Sequence, residues 1–404
     1  EEAFMEPVKE VISNLKLRAS YGFTGNTEIG VYESLATLGT SNWILGNQLV
    51  SGFFPNKIPN PDLKWERTGQ FDIGLDLGLF NNRLRITTDY YKKKTTDLLY
   101  SVAVPATSGY QTMLKNIGSI ENQGYELSIE SDNLTGAFSW TTAFNIAFNR
   151  NKVLELGGEE YKEMAEGDGH LKTGSVRRLI VGEPIGVFYG YRFDGIFQNE
   201  EECKQQTSSA SPIGVGLRRY KDLNGDGKVD AANDREILGD ANPKFFGGLT
   251  NTFAYKGFEL NVFLQYSYGN KILNYNAMEL ENPTGGQNAY ADMVNRWTPE
   301  NPSNIYPKAT TNRALLVSDR FIEDGSYLKL KTLSLSYSFP KINLKHIQGL
   351  RLYVTGQNLL TWTKYRGYDP EVSYRGASTL EAGEDFGGYP QSRTFMFGIK
   401  LDIK

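Results

Sequence analysis

The residues best placed to do chemistry lie in the run Asp222-Leu223-Asn224-Gly225-Asp226-Gly227-Lys228-Val229-Asp230. Oxygen-bearing side chains occupy its first, third, fifth and ninth places and a glycine its sixth, the spacing of the first nine positions of a Ca²⁺-binding loop. Alternate oxygens let such a loop curl around one hard cation, Gly227 permits the sharp turn, and the Lys228 carbonyl points inward. The expected ligands are Asp222, Asn224, Asp226, the Lys228 carbonyl and Asp230. The far end departs from the pattern: the twelfth place is Asn233, and the next acid, Asp234, comes one residue late, with Glu236 later still. Asp234 completes the candidate set. No apolar helix precedes the loop, so it is not half of a helix–loop–helix hand. A bound Ca²⁺ would have a structural role, pinning a loop; the alternative is a solvated Asp/Asn/Gly turn without an ion.

Other reactive residues form no catalytic pattern. The two histidines, His170 and His346, are far apart and lack Cys or acidic neighbours at zinc spacing. There is no Gly-x-Ser-x-Gly and no phosphate-cradling loop ending in Lys-Ser/Thr. Glu200-Glu201-Glu202 reads as a solvated face, because adjacency in sequence does not aim two carboxylates at one bond. Cys203 is the sole cysteine, so an internal disulfide is impossible. Asn133-Leu134-Thr135 matches a glycosylation acceptor that has no meaning in a bacterial turn. No enzyme is expected, no catalytic or cofactor-binding residue is assigned, and substrate contacts cannot be named.

The elements that carry these residues are strands. Of 404 residues, 22% are charged, 39% hydrophobic and 13% aromatic, with 24 Tyr and 22 Phe. No apolar stretch reaches the roughly 18 residues of a membrane helix. A mean hydropathy of −0.44 looks soluble, but a membrane barrel shows lipid only every second residue and carries polar loops. A net charge of −4 without a basic run argues against a nucleic-acid partner. The dominant period is two: Phe71, Ile73, Leu75, Leu77 and Leu79 alternate with Asp72, Gly74, Asp76 and Gly78. Phe138 to Asn149, Phe258 to Tyr268 (Phe263 out of pattern) and Phe395 to Asp402 repeat it. Alternation over about 10 residues matches a tilted membrane strand.

Ten strands are expected, at 15–24, 66–79, 83–93, 121–132, 137–149, 245–255, 257–268, 326–338, 349–360 and 391–402. Short connections (Phe80-Asn81-Asn82, Asn133 to Gly136, Tyr255-Lys256-Gly257, Pro340 to Gln348) alternate with long ones at 25–65, 94–120, 150–244, 269–325 and 361–390. Outer-membrane barrels pair short periplasmic turns with long outer loops in this way. The same parity keeps the strand-like Gly186 to Phe193 inside the loop 150–244 and puts the C-terminus in the periplasm. The expected fold is all-β, a transmembrane antiparallel β-barrel. Its outward Phe, Leu, Ile and Trp meet outer-membrane lipid, and Tyr90, Tyr91, Trp140, Tyr268 and Trp362 stand in the interfacial girdle. The opening Glu1-Glu2-Ala3-Phe4-Met5 lacks the basic start and apolar run of a signal peptide, as expected of a mature or a cut chain, and a cut chain is the favoured reading.

Several segments, in order along the chain, resemble landmarks of the SusC/RagA type of TonB-dependent transporter. They are Leu15 to Gly22, Asn60-Pro61-Asp62-Leu63-Lys64-Trp65-Glu66, Ile120-Glu121-Asn122-Gln123-Gly124-Tyr125-Glu126, and the Asp222–Asp230 loop followed by Gly239 to Lys244. Ser326-Tyr327-Leu328-Lys329-Leu330-Lys331 and Gly388-Tyr389-Pro390 also match. The resemblance implies a plugged barrel of about 22 strands, of which residues 1–404 form the C-terminal part. It further implies TonB-powered import of glycan oligosaccharides or peptides, with a SusD-like surface lipoprotein as lid and the TonB complex engaged through an N-terminal part absent here. Two other readings are a passive or structural barrel, closed by pairing 15–24 with 391–402, and a soluble β-rich carbohydrate-binding protein.

Overall fold

The computed structural model describes residues 6, 8, 10–26, 32, 34–110, 112–164, 167, 170, 171, 173–282, 288–311, 315–340, 347–376, 378 and 380–403. The first five residues, His346 and the middle of the 340–348 turn lie outside the described residues.

All ten expected strands form, and they lie side by side in chain order in one antiparallel sheet. They are β1 (Ile12–Asn26), β2 (Glu66–Leu79), β3 (Leu84–Thr96), β4 (Ser119–Thr135), β5 (Phe138–Glu155), β6 (Phe245–Tyr255), β7 (Phe258–Tyr268), β8 (Tyr327–Ser338), β9 (Ile347–Thr363) and β10 (Thr394–Ile403). The register aligns the period-two pattern across strands. Leu15, Leu77, Ile86, Ile129, Phe144, Leu249, Leu264, Leu330 and Leu360 are consecutive cross-strand partners, an unbroken apolar row on one face from β1 to β9. One-residue slips would turn that row inward, so the greasy face fixes the register. The short connections are tight: Lys256 (φ 46°) and Gly257 (φ 87°) make a two-residue hairpin turn between Tyr255 and Phe258, which pair directly.

Among the described residues no second sheet covers the apolar face. Phe71 is 41% exposed and Phe397 81% exposed, while Phe144 and Leu264 are shielded only by neighbours on their own face. The principal hydrophobic core is built instead from the connections, around Phe188, Leu273, Tyr275, Met278 and Phe321. That arrangement excludes a soluble sandwich, whose core would lie between two sheets. The sheet is also open. β1 pairs only with β2 and β10 only with β9 among the described residues, so the ten strands do not close by joining 15–24 to 391–402.

Two expectations need correction. Several strands outrun their expected ends: β5 continues to Glu155, so 150–155 belongs to the wall and the third long connection begins at 156. The first two connections shorten likewise to 27–65 and 97–118, whereas the fourth gains one residue (269–326) and the fifth is displaced by three (364–393). Polar residues such as Asn149 to Lys152 hid this continuation, because above the hydrocarbon a strand keeps its backbone pairing without apolar alternation. Tyr91 is not in the girdle. Tyr90 faces outward, its ring 4.8 Å from that of Tyr125, so its neighbour Tyr91 must face inward, where its hydroxyl donates to Asn149 Oδ1 at 3.2 Å. The Tyr91 ring lies over Gly124, where any Cβ would come within 2.6 Å of the hydroxyl oxygen.

The two faces make opposite demands on one strand. Leu264→Arg, at mid-height on the apolar face, is expected to cost about 2–4 kcal/mol of folding free energy in a bilayer. Thr250→Arg, on the opposite face of the paired strand, is expected to cost much less. Equilibrium unfolding into lipid vesicles measures both.

Candidate functional site

The last three long connections do not hang separately over the wall; they fold on one another into a cap. In the third connection, Tyr161–Glu163, Arg177–Ile180, Val187–Tyr191 and Arg235–Gly239 form a four-stranded antiparallel sheet. Val187–Tyr191 is the strand-like segment that parity kept out of the wall, and it pairs only within the cap. Lys271–Asn274 pairs with Ile322–Asp324 and, in parallel, with Glu384–Asp385, tying the last two long connections together. One core is shared: Leu171, Val176 and Phe188 come from the third connection, Leu273, Tyr275, Met278 and Phe321 from the fourth, and Phe386 from the fifth.

Buried ion pairs clamp the connections. Arg177 is almost wholly buried; its Nε donates to Glu384 Oε1 at 2.8 Å, its Nη1 to the Gly186 carbonyl at 2.6 Å, and its Cζ lies 4.1 Å from the Phe188 ring centre. Glu281 is held by Arg320 at 2.9 Å and by Arg366 at 2.8 Å, and Arg366 also reaches Glu323 at 2.8 Å. A third clamp joins cap to wall. Lys329 on β8, 1% exposed, donates to Asp369 at 2.6 Å and Glu371 at 2.5 Å. Lys331 donates to Glu371 at 2.9 Å and the Tyr327 hydroxyl to it at 3.1 Å. This places the inward residues of Ser326-Tyr327-Leu328-Lys329-Leu330-Lys331: Leu328 and Leu330 face lipid while Tyr327, Lys329 and Lys331 seize the fifth connection. Burial pushes the Glu371 carboxyl upward, but hydrogen bonds from Lys329 and Lys331 outweigh it and hold the group down to about 2.

The remaining candidates have structural surroundings. Glu200-Glu201-Glu202 opens the short helix α1 (Glu200–Gln205), with Asn199 accepting the Glu202 N–H at 2.9 Å and the Glu202 carboxylate accepting the Gln198 N–H at 2.9 Å. Cys203 is a half-buried member of that helix. His170 stacks on Phe386 with ring centres 6.3 Å apart and lies 3.7 Å from Glu279. On the inward face of the wall, charges pair across strands: Arg18 with Asp76 and Asp89 at 3.0 and 2.9 Å, Arg85 with Glu130 at 3.1 Å, and Arg351 with Glu259 at 2.5 Å.

The 222–230 loop is held by its own acids. Asp222 accepts the N–H groups of Gly225 and Gly227 at 2.7 Å each, and Asp226 accepts that of Lys228 at 2.8 Å. Asn224 accepts the Asp226 N–H at 3.2 Å, and Asp230 meets Lys228 Nζ at 3.0 Å. Gly225 and Gly227 take φ of 76° and 80°, which suits glycine. Asp234 is fully buried and accepts the Leu223 and Asp230 N–H groups at 2.7 Å each, tying the two ends of the loop together. Among the described residues, no three His, Cys, Asp or Glu side chains stand together as a metal-holding group. Sequence reasoning missed the buried charges Arg177, Arg218, Glu281 and Glu384. Their neighbours are remote in the chain, so no spacing signals them.

A wide antiparallel sheet with one lipid-facing row, capped on one end by folded connections, defines the wall of an outer-membrane β-barrel. The described residues contain no helix long and apolar enough to cross a membrane. The family model described as "TonB dependent receptor-like, beta-barrel" matches residues 9–359, and the chain belongs to that family. TonB-dependent receptor P3 of Formosa agariphila is 41% identical over 96% of this chain and 39% of its own length. TonB-dependent receptor SusC of Bacteroides thetaiotaomicron is 30% identical over all of this chain and 39% of its own. The solved RagAB peptide importer in its "open-open" state superposes with a TM-score of 0.79 at 28% identity, covering 97% of this chain and 40% of that one. The chain thus spans about two fifths of these relatives and is SusC/RagA-like throughout.

The wall–cap clamp has a defined pH dependence. Glu371 is depressed from 4.5 to about 2, so its contribution is complete above pH 4.5 and is lost as pH falls toward 2. Glu371→Gln is expected to remove it at neutral pH as well, leaving Lys329 with one partner and weakening hydrogen-exchange protection across 364–393. Unchanged protection in the variant contradicts the clamp.

Proposed function

We propose that this chain is the C-terminal part of an active importer of oligomeric nutrients, glycan oligosaccharides or peptides, across the bacterial outer membrane. The observation that carries the reading is the joint folding of the last three long connections into one cap on a barrel wall. In this reading the cap is extracellular, the short turns and the C-terminus are periplasmic, and a SusD-like surface lipoprotein closes over the opening. The TonB complex supplies the energy through the part of the protein that precedes these strands. The similarity to SusC and to the RagAB peptide importer supports both the partner and the substrate class. The chain has no catalytic role in this scheme; a barrel of these ten strands alone would need the first to pair with the last, and among the described residues they do not pair. Deleting the gene in its host is expected to abolish uptake of the cognate oligomer and growth on it, as is deleting tonB. Growth that survives both deletions contradicts the proposal.

The 222–230 loop is proposed to bind Ca²⁺ as a structural pin, through Asp222, Asn224, Asp226, the Lys228 carbonyl and Asp230. All are hard oxygen donors, and a carboxylate oxygen that accepts one N–H keeps a lone pair for a cation. The ion would draw the carboxylates together and displace the Lys228 amine from Asp230, while Asp234 keeps the loop ends joined. Chelation is expected to speed proteolysis within 222–234, with Ca²⁺ restoring protection in the parent but not in Asp222→Asn/Asp226→Asn. Cleavage indifferent to both chelator and Ca²⁺ contradicts the site.

A further inference from the structure

One buried charge in the cap has no carboxylate of its own. Arg218 lies on the short strand Arg218–Tyr220 and is 9% exposed. Its Nη2 donates to the Glu281 carbonyl oxygen at 3.0 Å, and its Cζ sits 5.4 Å from the Phe321 ring centre. Its Nε is buried and meets no acceptor among the described residues. The carboxylate whose charge acts on Arg218 is that of Glu281, but Arg320 and Arg366 already hold both of its oxygens. Glu323 is engaged by Arg366. Three guanidinium groups therefore share two carboxylates, and the surplus charge falls on the most deeply buried of the three. A buried ion without a counter-charge carries a large desolvation cost.

Beside this guanidinium lies a cavity of about 30 Å³, lined by Ser211, Leu217, Arg218, Tyr220, Asn282 and Thr310. Its size suits one or two water-sized spheres, enough for a monatomic ion. Ser211, Tyr220 and Asn282 carry O–H or N–H groups suited to an anion, and no carboxylate among the described residues lines the space. We propose that this cavity is a binding site for a monatomic anion, chloride under ordinary conditions, held by Arg218 and the hydroxyl and amide donors around it. Such an ion supplies the missing acceptor for Nε and cancels the surplus charge in one step. Water supplies the acceptor but leaves the charge.

The test uses crystals of the complete transporter in detergent, soaked in sodium bromide. An anomalous bromide peak is expected in the cavity, in contact with the Arg218 guanidinium, and is expected to vanish in Arg218→Gln. In solution, the melting temperature of the parent should be higher in chloride than in gluconate at equal ionic strength, and Arg218→Gln should lose that difference. A cavity that refines as water without anomalous signal in the parent overturns the site. So does a peak that persists undiminished in the variant. Where Arg218→Gln does not fold, the soak of the parent alone decides.

Discussion

Hydrocarbon offers no hydrogen-bond partner, so a backbone N–H or C=O left unpaired there costs several kcal/mol. Every feature of the wall follows from that constraint. The strands are long because each must cross the hydrocarbon without a break, they run in chain order because tight turns return them to their neighbours, and adjacent strands pair along nearly their full shared length. The same constraint identifies the wall as part of something larger. β1 and β10 each present one row of backbone groups that nothing in the described sheet satisfies, so the barrel closes only through further strands. The relatives, of which this chain spans about two fifths, have the length to supply them.

The chain answers to two solvents. In the wall the apolar side chains face outward, so there is no dry interior and the lipid takes the place of a core. In the cap the ordinary rule returns: Phe188, Leu273, Tyr275 and Met278 are buried together, with charges sealed among them. Those charges are better understood as selectors of one arrangement than as sources of net stability, since burying an ion pair recovers little more than its own desolvation. Arg177 can lie beside Phe188 only if Glu384 arrives from the far end of the chain, and Lys329 can stay buried only if Asp369 and Glu371 close over it. The clamps thus tie the third connection to the fifth and the fifth to β8.

Much of the wall was legible in the sequence because its signal is local. Alternation in 66–79 or 257–268 depends only on neighbours two residues apart, and the parity of short and long connections was enough to keep Val187–Tyr191 out of the membrane. Phe263, out of pattern in sequence, proves to face inward against Gly248. Where the signal faded, polarity was the cause: above the hydrocarbon, β5 runs on through Asn149 to Lys152 without apolar alternation to mark it. Tyr91 was misplaced because aromatic type was weighed over the face that its position fixes. The clamps were illegible for a different reason. Arg177 and Glu384 are separated by 207 residues, and no rule of spacing reaches that far. Lys329 and Lys331 stood inside a recognised landmark, yet their role required knowing which loop lay above them.

The central claim is that one face of this sheet meets lipid and the other meets water. With Cys203 replaced by serine, single cysteines at 143, 144, 145, 263 and 264 of the complete protein in its native membrane separate the faces directly. A membrane-impermeant aqueous maleimide and a bilayer-confined quencher of an attached probe read each position. Probe quenching by the lipid-phase reagent is expected at 144 and 264, and none at 143, 145 and 263. Equal behaviour at adjacent positions, or ready aqueous labelling at 144 and 264, would contradict it.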